Sequence, residues 1–249
     1  MNKNGLFLKS VLCATAFSVL TGLFIADHAI SYEFYDWGHG AIGYELAVMD
    51  AEEDKKPLIL YFYLDSDEWS EKMNNDYLAV YEVEAFLIGI PKVEINPGKG
   101  GQEKSIAVKY GVDRCPAFFV SIPSFGSKPQ RIHPFSKDHN LTVDEFIKEL
   151  KGVIVYQYNE KAYQHYEKKE YEEALKYFEM ARDFDPGKAY TYYAIGTVYH
   201  SIGFEKNDPE YLEKAEENYV EALEIDPDNK ETKEELKKLR EGMEKLGVK

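Results

Sequence analysis

Hydrophobic and polar positions follow two different patterns along this chain. In the first half, the near-continuous apolar run PLILYFYL predicts a strand that is buried on both faces. It is followed by EWSEKMNNDYLAVYEVEAFL, in which apolar residues from Trp69 to Leu87 recur every three or four positions and predict one amphipathic helix. Further strands are predicted at PKVEIN, PAFFVSIP and PQRIHPF, and further helices at YELAVMDAEEDKK, EKSIAVKYGV and LTVDEFIKELKGVIVY. This order predicts an α/β fold, a mixed sheet covered by helices.

From Tyr156 onward the strand signals stop and two helical repeats follow. Four positions of the first repeat match four of the second in residue type and spacing: Ala174, Phe178, Ala181 and Pro186 against Ala215, Tyr219, Ala222 and Pro227. Small residues let two helices approach closely, the aromatic residue fills the gap between them, and the proline ends the second helix. Gly196 is the expected close-contact position of the second pair. The segment after the second repeat, NKETKEELKKLREGMEKL, predicts a polar-faced capping helix.

The second half therefore resembles the tetratricopeptide repeat (TPR) family, with repeats at 156–188 and 189–229 inside a region spanning 156–249. The resemblance implies an all-α domain in which the first helix of each pair lines a groove for a protein or peptide. The groove positions in this register are Tyr156, Asn159, Tyr163, Tyr166, Tyr190, Tyr193, Thr197 and His200. Tyrosines are enriched at binding hot spots, although several of these could instead pack on the first domain or the capping helix. The lysine and arginine clamp that holds acidic tails in some relatives is absent.

The first half, residues 32–153, resembles the thioredoxin-like superfamily. Aligning YFY and Met73 without a gap puts Asp67 and Ser70 where that family carries its Cys-x-x-Cys motif. A register shifted to place Trp69 at the motif tryptophan would use Ser70 and Met73, and neither register yields a cysteine. The segment YGVDRCPAFFV matches the loop whose proline is cis, with Pro116 as that proline and Cys115 before it.

Thiol–disulfide chemistry of the family type needs a thiolate of low pKa and a second thiol. Asp67 and Ser70 supply neither, but an aspartate at this position can cap the following helix. We therefore expect a redox-inactive, non-enzymatic protein-binding or assembly module. The alternative is an accessory protein that uses the single thiol of Cys115 to form mixed disulfides with a partner. Asp67 beside Cys115 would then raise the pKa of the thiol.

The N-terminal residues 1–31 have the features of a signal peptide or an uncleaved membrane anchor. Lys3 and Lys9 precede an uncharged apolar segment at residues 10–26, which could tether the protein to a membrane. Ala29-Ile30-Ser31 is a fitting cleavage site that would expose Tyr32. Either outcome predicts an extracytoplasmic protein, with a bacterial periplasm as the expected location.

Composition and charge limit the functions that this protein can have. The formal net charge of −15 argues against a nucleic-acid-binding surface, because phosphates are repelled by an acidic field. Of the two cysteines, Cys13 lies in the targeting segment, so cleavage leaves Cys115 without an internal disulfide partner. The six histidines show no metal-ligand spacing, and PGKGG lacks the Gly-Lys-Ser/Thr of a phosphate loop. No cofactor and no metal are expected.

Overall fold

The first half of the chain forms a five-stranded mixed sheet. The computed structural model describes residues 37–135 and 140–247, so the predicted targeting segment lies outside the described residues. The strands are β1 Gly38–His39, β2 Leu58–Phe62, β3 Lys92–Ile95, β4 Ala117–Ser121 and β5 Gln130–Ile132. Their order is β1-β3-β2-β4-β5; β3 runs parallel to both β1 and β2, whereas β4 runs antiparallel to β2 and β5. This topology confirms the expected thioredoxin-like sheet.

Strand β2 is central, and its alternating side chains serve two separate cores. Leu58, Leu60 and Phe62 face the core that includes helices α1 Gly40–Glu53 and α4 Gly101–Lys109. Ile59 and Tyr61 face the opposite core, which continues into the second half of the chain. All five residues of β2 are buried, as the continuous apolar run predicts.

The segment after β2 corrects one prediction. Instead of one helix, the chain forms α2 Glu68–Met73, a π-helical turn at Asn74–Leu78, and a separate helix α3 Tyr81–Leu87. Val80 interrupts the helix with an extended backbone, while its carbonyl accepts from the N–H groups of Val83 and Glu84 at the start of α3. The apolar spacing continues through this break, which is why periodicity alone predicts a single helix.

Helix α5 Val143–Glu167 joins the two halves of the chain. Thr142 and Glu145 form the predicted capping box at its start: the Thr142 hydroxyl accepts from the Glu145 N–H, and the Glu145 carboxylate accepts from the Thr142 N–H. The helix then runs without interruption across the boundary expected between residues 153 and 156. Its first part covers the sheet and its second part opens the first helical repeat.

The second half consists of antiparallel helices with TPR spacing. The end of α5 pairs with α6 Tyr171–Phe184, α7 Ala189–Lys206 pairs with α8 Pro209–Ile225, and α9 Lys230–Leu246 follows as the capping helix. A Cβ on Gly196 would lie 2.8 Å from Tyr219 Cδ1, so the structure confirms Gly196 as a close-contact position. The chain therefore combines a thioredoxin-like fold with TPR helical pairs.

The sheet and the helical pairs share one hydrophobic core. Phe125, in the loop after β4, contacts Tyr158 of α5 and Tyr177 of α6, with ring centroids 5.5 and 5.2 Å apart. The Gln157 side chain accepts from the Ile122 N–H at 3.0 Å, and the Tyr158 hydroxyl donates to the Lys55 carbonyl at 2.8 Å. These contacts fix the first helical pair against the sheet. Among the described residues, none of the helices is both long and apolar enough to cross a membrane.

Candidate functional site

Two surfaces correspond to the predicted sites: the loop that would carry redox chemistry, and the first helices of the TPR pairs. In the loop, Asp67 is the N-cap of α2. Its Oδ2 accepts from the Ser70 N–H at 2.7 Å and from the Ser70 hydroxyl at 2.8 Å. The structure thus confirms that Asp67 caps the helix, and the two residues at the presumed cysteine positions are bonded to each other.

Ser70 is enclosed from the other sides as well. It is only 2% exposed, its Oγ accepts from the Leu64 N–H at 3.2 Å, and its carbonyl accepts from the Tyr61 hydroxyl at 3.0 Å. Every polar group of this serine side chain is already used inside the protein. Ser70 is therefore placed to hold the loop closed rather than to act on a substrate.

Cys115 lies close to this loop, and its peptide bond to Pro116 is cis. The thiol is partly buried against the α1-side core. Burial, with a further contribution from the Asp67 carboxylate, raises the pKa of Cys115 to about 11, and Arg131 opposes the shift. The direction of the Asp67 effect is the one the sequence predicts. At neutral pH the sulfur is a thiol, which is a poor nucleophile.

Trp69 departs from its predicted place on the apolar face of the helix. Its side chain is 48% exposed and rests on Phe135, with ring centroids 5.2 Å apart. The Lys72 ammonium lies 5.6 Å from the Trp69 ring centroid. Helical spacing could not reveal this contact, because Phe135 comes from the segment after β5, which is distant in sequence.

The predicted groove residues lie on the first helices of the pairs, but they differ in accessibility. Tyr156, Tyr163 and Tyr190 are 55%, 48% and 50% exposed, respectively. Partly buried positions are Tyr166, Tyr193, Thr197 and His200. Asn159 is only 9% exposed, and its Nδ2 donates to Thr191 Oγ1 at 3.5 Å. Asn159 therefore joins two helices instead of presenting its amide to a ligand.

Hydrogen bonds connect the first helices side by side. Tyr166 of α5 and Ser201 of α7 share a hydroxyl hydrogen bond of 3.0 Å, and the Tyr193 hydroxyl of α7 donates to Glu231 of α9 at 3.0 Å. Rings also pair within each helix: Tyr163–Tyr166 in α5 and Tyr190–Tyr193 in α7 have centroids 6.0 and 6.3 Å apart. We call the surface formed by Tyr156, Tyr163, Tyr166, Tyr190 and Tyr193 the tyrosine face.

His200 belongs to the floor beside the tyrosine face. Its Nδ1 lies 3.2 Å from the hydroxyl of the fully buried Tyr219, which also donates to Thr197 at 3.3 Å. Burial lowers the pKa of His200, with the nearby Glu235 and Lys238 acting in opposite directions. The imidazole is thus neutral at pH 7, and together with Thr197 it serves the packing of α7 on α8.

Sequence reasoning missed the acidic border of the tyrosine face. Glu231 of α9 accepts from Tyr193, and Glu160 of α5 lies near Tyr190. Burial first, and then the hydrogen bond to Glu231, raise the pKa of Tyr193 to about 12. Only tertiary packing brings α9 beside α7, so the spacing of residues along the chain carries no signal for this border. Within the described residues, no three potential metal ligands cluster.

The sequence matches no known protein-family model and no curated protein. It is similar in structure to a thioredoxin from Thermus thermophilus, which is 19% identical, covers 47% of this chain and 87% of its own, and gives a TM-score of 0.38. The oxidised C-terminal domain of Neisseria meningitidis DsbD is 22% identical over 47% of this chain and 97% of its own, also with a TM-score of 0.38. The C-terminal TPR-containing domain of a Plasmodium falciparum FK506-binding protein is 17% identical over 45% of this chain and 69% of its own, with a TM-score of 0.34.

Proposed function

We propose that this protein is an exported, non-enzymatic binding module that holds a protein or peptide partner on its tyrosine face. The observation that carries the proposal is the exposure of three tyrosines on the first helices of the pairs, Tyr156, Tyr163 and Tyr190. A tyrosine offers a large contact area and loses little rotamer freedom when it binds. Neighbouring exposed tyrosines on a rigid helical surface therefore make a favourable docking site.

The state of the former redox loop supports a binding role over catalysis. Asp67 and Ser70 satisfy each other by hydrogen bonds, and Cys115 carries a thiol of raised pKa. Disulfide exchange by a single protein would need a reactive thiolate and a second thiol to resolve the mixed disulfide. The thioredoxin-like half then serves as the support on which α5 and α6 are fixed.

Export is part of the same proposal, and it rests on the sequence of residues 1–31. We propose a location outside the cytoplasm, in a bacterial periplasm, with residues 10–26 as a tether if cleavage does not occur. N-terminal sequencing of the mature protein from its native host tests this. Tyr32 as the first residue supports cleavage, an intact Met1 on membrane-bound protein supports the tether, and recovery from the cytoplasm contradicts both.

The binding role is tested by capture from an envelope extract. The intact protein is compared with Tyr163→Ala/Tyr193→Ala and with Cys115→Ser. Loss of a binding hot spot costs about 2 kcal/mol or more, which is roughly 30-fold in affinity. The tyrosine variant should therefore release the partner, while circular dichroism shows unchanged helicity and the cysteine variant retains capture.

A thiol-based role is the second candidate, because Cys115 is only partly buried and precedes the cis-Pro116. In that case the sulfur would attack a partner disulfide, form a mixed disulfide and release the partner's other sulfur as a thiol. The same experiment separates the two: capture that survives loss of the tyrosines and disappears in Cys115→Ser contradicts the tyrosine face and supports the thiol.

A further inference from the structure

Glutamates from two different helices border the tyrosine face. Besides the Tyr193–Glu231 hydrogen bond, Glu160 and Glu231 both lie near enough to the Tyr190 hydroxyl to raise its pKa, after burial as the largest cause. Glu235 acts in the same direction on Tyr193 and on Tyr219. Carboxylates from α5 and α9 therefore lie around these hydroxyls.

Lysines beside this surface are already paired with carboxylates. Lys169 lies near Tyr166, and its ammonium is 2.7 Å from Glu205. Lys238 lies close enough to His200 to lower the pKa of that imidazole, as a secondary effect. Its ammonium, however, is 3.0 Å from Glu234 and 2.9 Å from Glu235. One lysine between two carboxylates leaves this group of three side chains with a net negative charge.

The ring faces of these tyrosines are also free of cations from the protein itself. Elsewhere in the molecule lysines lie over aromatic rings: Lys55 is 5.1 Å from the Tyr177 centroid and Lys109 is 5.3 Å from that of Tyr44. In the part of the chain that the structure describes, no such contact involves the rings of the tyrosine face. Tyrosine rings attract a cation within about 6 Å of the centroid, so these rings are open to one from outside.

We infer that the tyrosine face takes a segment rich in lysine or arginine. The inference rests on the proposed function and names the chemistry of its partner. Ammonium or guanidinium groups would lie over the open rings of Tyr163 and Tyr190, and Glu160 and Glu231 would pair with them. The overall charge of −15 attracts such a segment over longer distances and repels an acidic one.

The test measures fluorescence anisotropy with three labelled peptides of equal length. They carry lysine, glutamine or glutamate at every third position of the same glycine–serine background. The lysine peptide should bind the intact protein and weaken as salt is added, whereas the glutamine peptide binds less tightly and the glutamate peptide does not bind.

Two glutamine pairs separate a local site from the general charge of the protein. Glu160→Gln/Glu231→Gln removes two charges at the tyrosine face, and should weaken the lysine peptide about tenfold through lost ion pairing. Glu213→Gln/Glu217→Gln removes two charges from exposed positions of α8 and is the matched control. The control should keep its affinity within about twofold.

Several results would overturn the inference. These are failure of the lysine peptide to bind, equal losses in both glutamine pairs, and a glutamine or glutamate peptide that binds as tightly as the lysine peptide. The glutamine or glutamate peptide could bind the intact protein more tightly than the lysine peptide does. If that binding is lost in Tyr163→Ala/Tyr190→Ala, the proposed function stands and only the inferred chemistry of the partner is wrong. If Tyr163→Ala/Tyr190→Ala binds the peptides and the captured partner as tightly as the intact protein does, the proposed function fails as well.

Discussion

The carboxylate of Asp67 acts on two neighbours at once. It caps α2 through the Ser70 N–H, and it disfavours ionisation of Cys115. A cysteine at the same place would be favoured as a thiolate by the helix N-terminus. The aspartate therefore stabilises the start of the helix and disfavours ionisation of the nearby thiol.

Alkylation of Cys115 tests this arrangement. Iodoacetamide should react slowly at neutral pH and faster as the pH approaches about 11, where the thiol ionises. Asp67→Asn keeps a good capping residue but removes the negative charge, so the pKa of Cys115 should fall and alkylation at fixed pH should accelerate roughly threefold. Asp65→Asn, which removes a charge from the exposed turn, is the control. Equal rates in both variants would contradict the role given to Asp67.

His200 should make the stability of the protein depend on pH. Because burial lowers its folded pKa, the unfolded chain binds a proton more readily. The stability that the neutral His200 contributes is fully present above the ordinary histidine pKa of about 6.5, and it is lost as the pH falls below that value. Lowering the pH from about 7.5 to about 5 should therefore destabilise the wild type more than His200→Gln, as measured by urea unfolding at each pH. Parallel pH profiles for the two proteins would contradict this.

At the scale of elements, the close approach of α7 and α8 depends on Gly196. An alanine Cβ there would lie 2.8 Å from Tyr219 Cδ1 and 3.2 Å from the Ala215 carbonyl oxygen. Since both neighbours are held within the helical pair, Gly196→Ala should lower the free energy of unfolding by about 1–3 kcal/mol. Gly152→Ala is the matched control.

Gly152 is also helical, but a Cβ at this position would meet nothing within 4 Å. Its replacement should raise the free energy of unfolding by about 0.5–1 kcal/mol, because alanine favours the helix over glycine. Chemical unfolding of both variants measures the difference. Similar losses in both would show that close packing at Gly196 does not matter.

The elements that sequence predicts well are those set by local patterns. Strand β2 follows from its continuous apolar run, and the start of α5 follows from the capping box of Thr142 and Glu145. The break at Val80 was missed because the apolar spacing continues through it. The exposure of Trp69 and the glutamates beside Tyr193 depend on segments that are distant in sequence, and no local pattern reports such contacts.

At the scale of the whole molecule, α5 and the Phe125 contacts make the two halves depend on each other. Two helical pairs are fewer than the three or more repeats that usually stand alone. The sheet supplies the missing neighbour, since Phe125 fills the space between Tyr158 and Tyr177. The position of the tyrosine face is therefore fixed relative to the sheet.

Unfolding should accordingly occur in one cooperative transition. Both tryptophans, Trp37 and Trp69, lie in the sheet half, whereas α6 to α9 contain about half of the α-helical residues that the structure describes and so contribute strongly to circular dichroism. Fluorescence and ellipticity should give the same urea midpoint. Phe125→Ala should lower the midpoint of both signals together. It should reduce the free energy of unfolding by about 2–4 kcal/mol. Two separate midpoints in the wild type would contradict a shared core.

The central claim is that the partner lies on the tyrosine face and not at the loop formed by Asp67, Trp69 and Ser70. Site-specific photo-crosslinking measures this most directly, with p-benzoylphenylalanine placed in turn at Tyr163, Tyr190, Trp69 and, on the outer helix α8, Val220. Crosslinks to the partner from Tyr163 and Tyr190, and none from Trp69 or Val220, are the predicted result. A partner crosslinked from Trp69 and not from the two tyrosines would contradict the account.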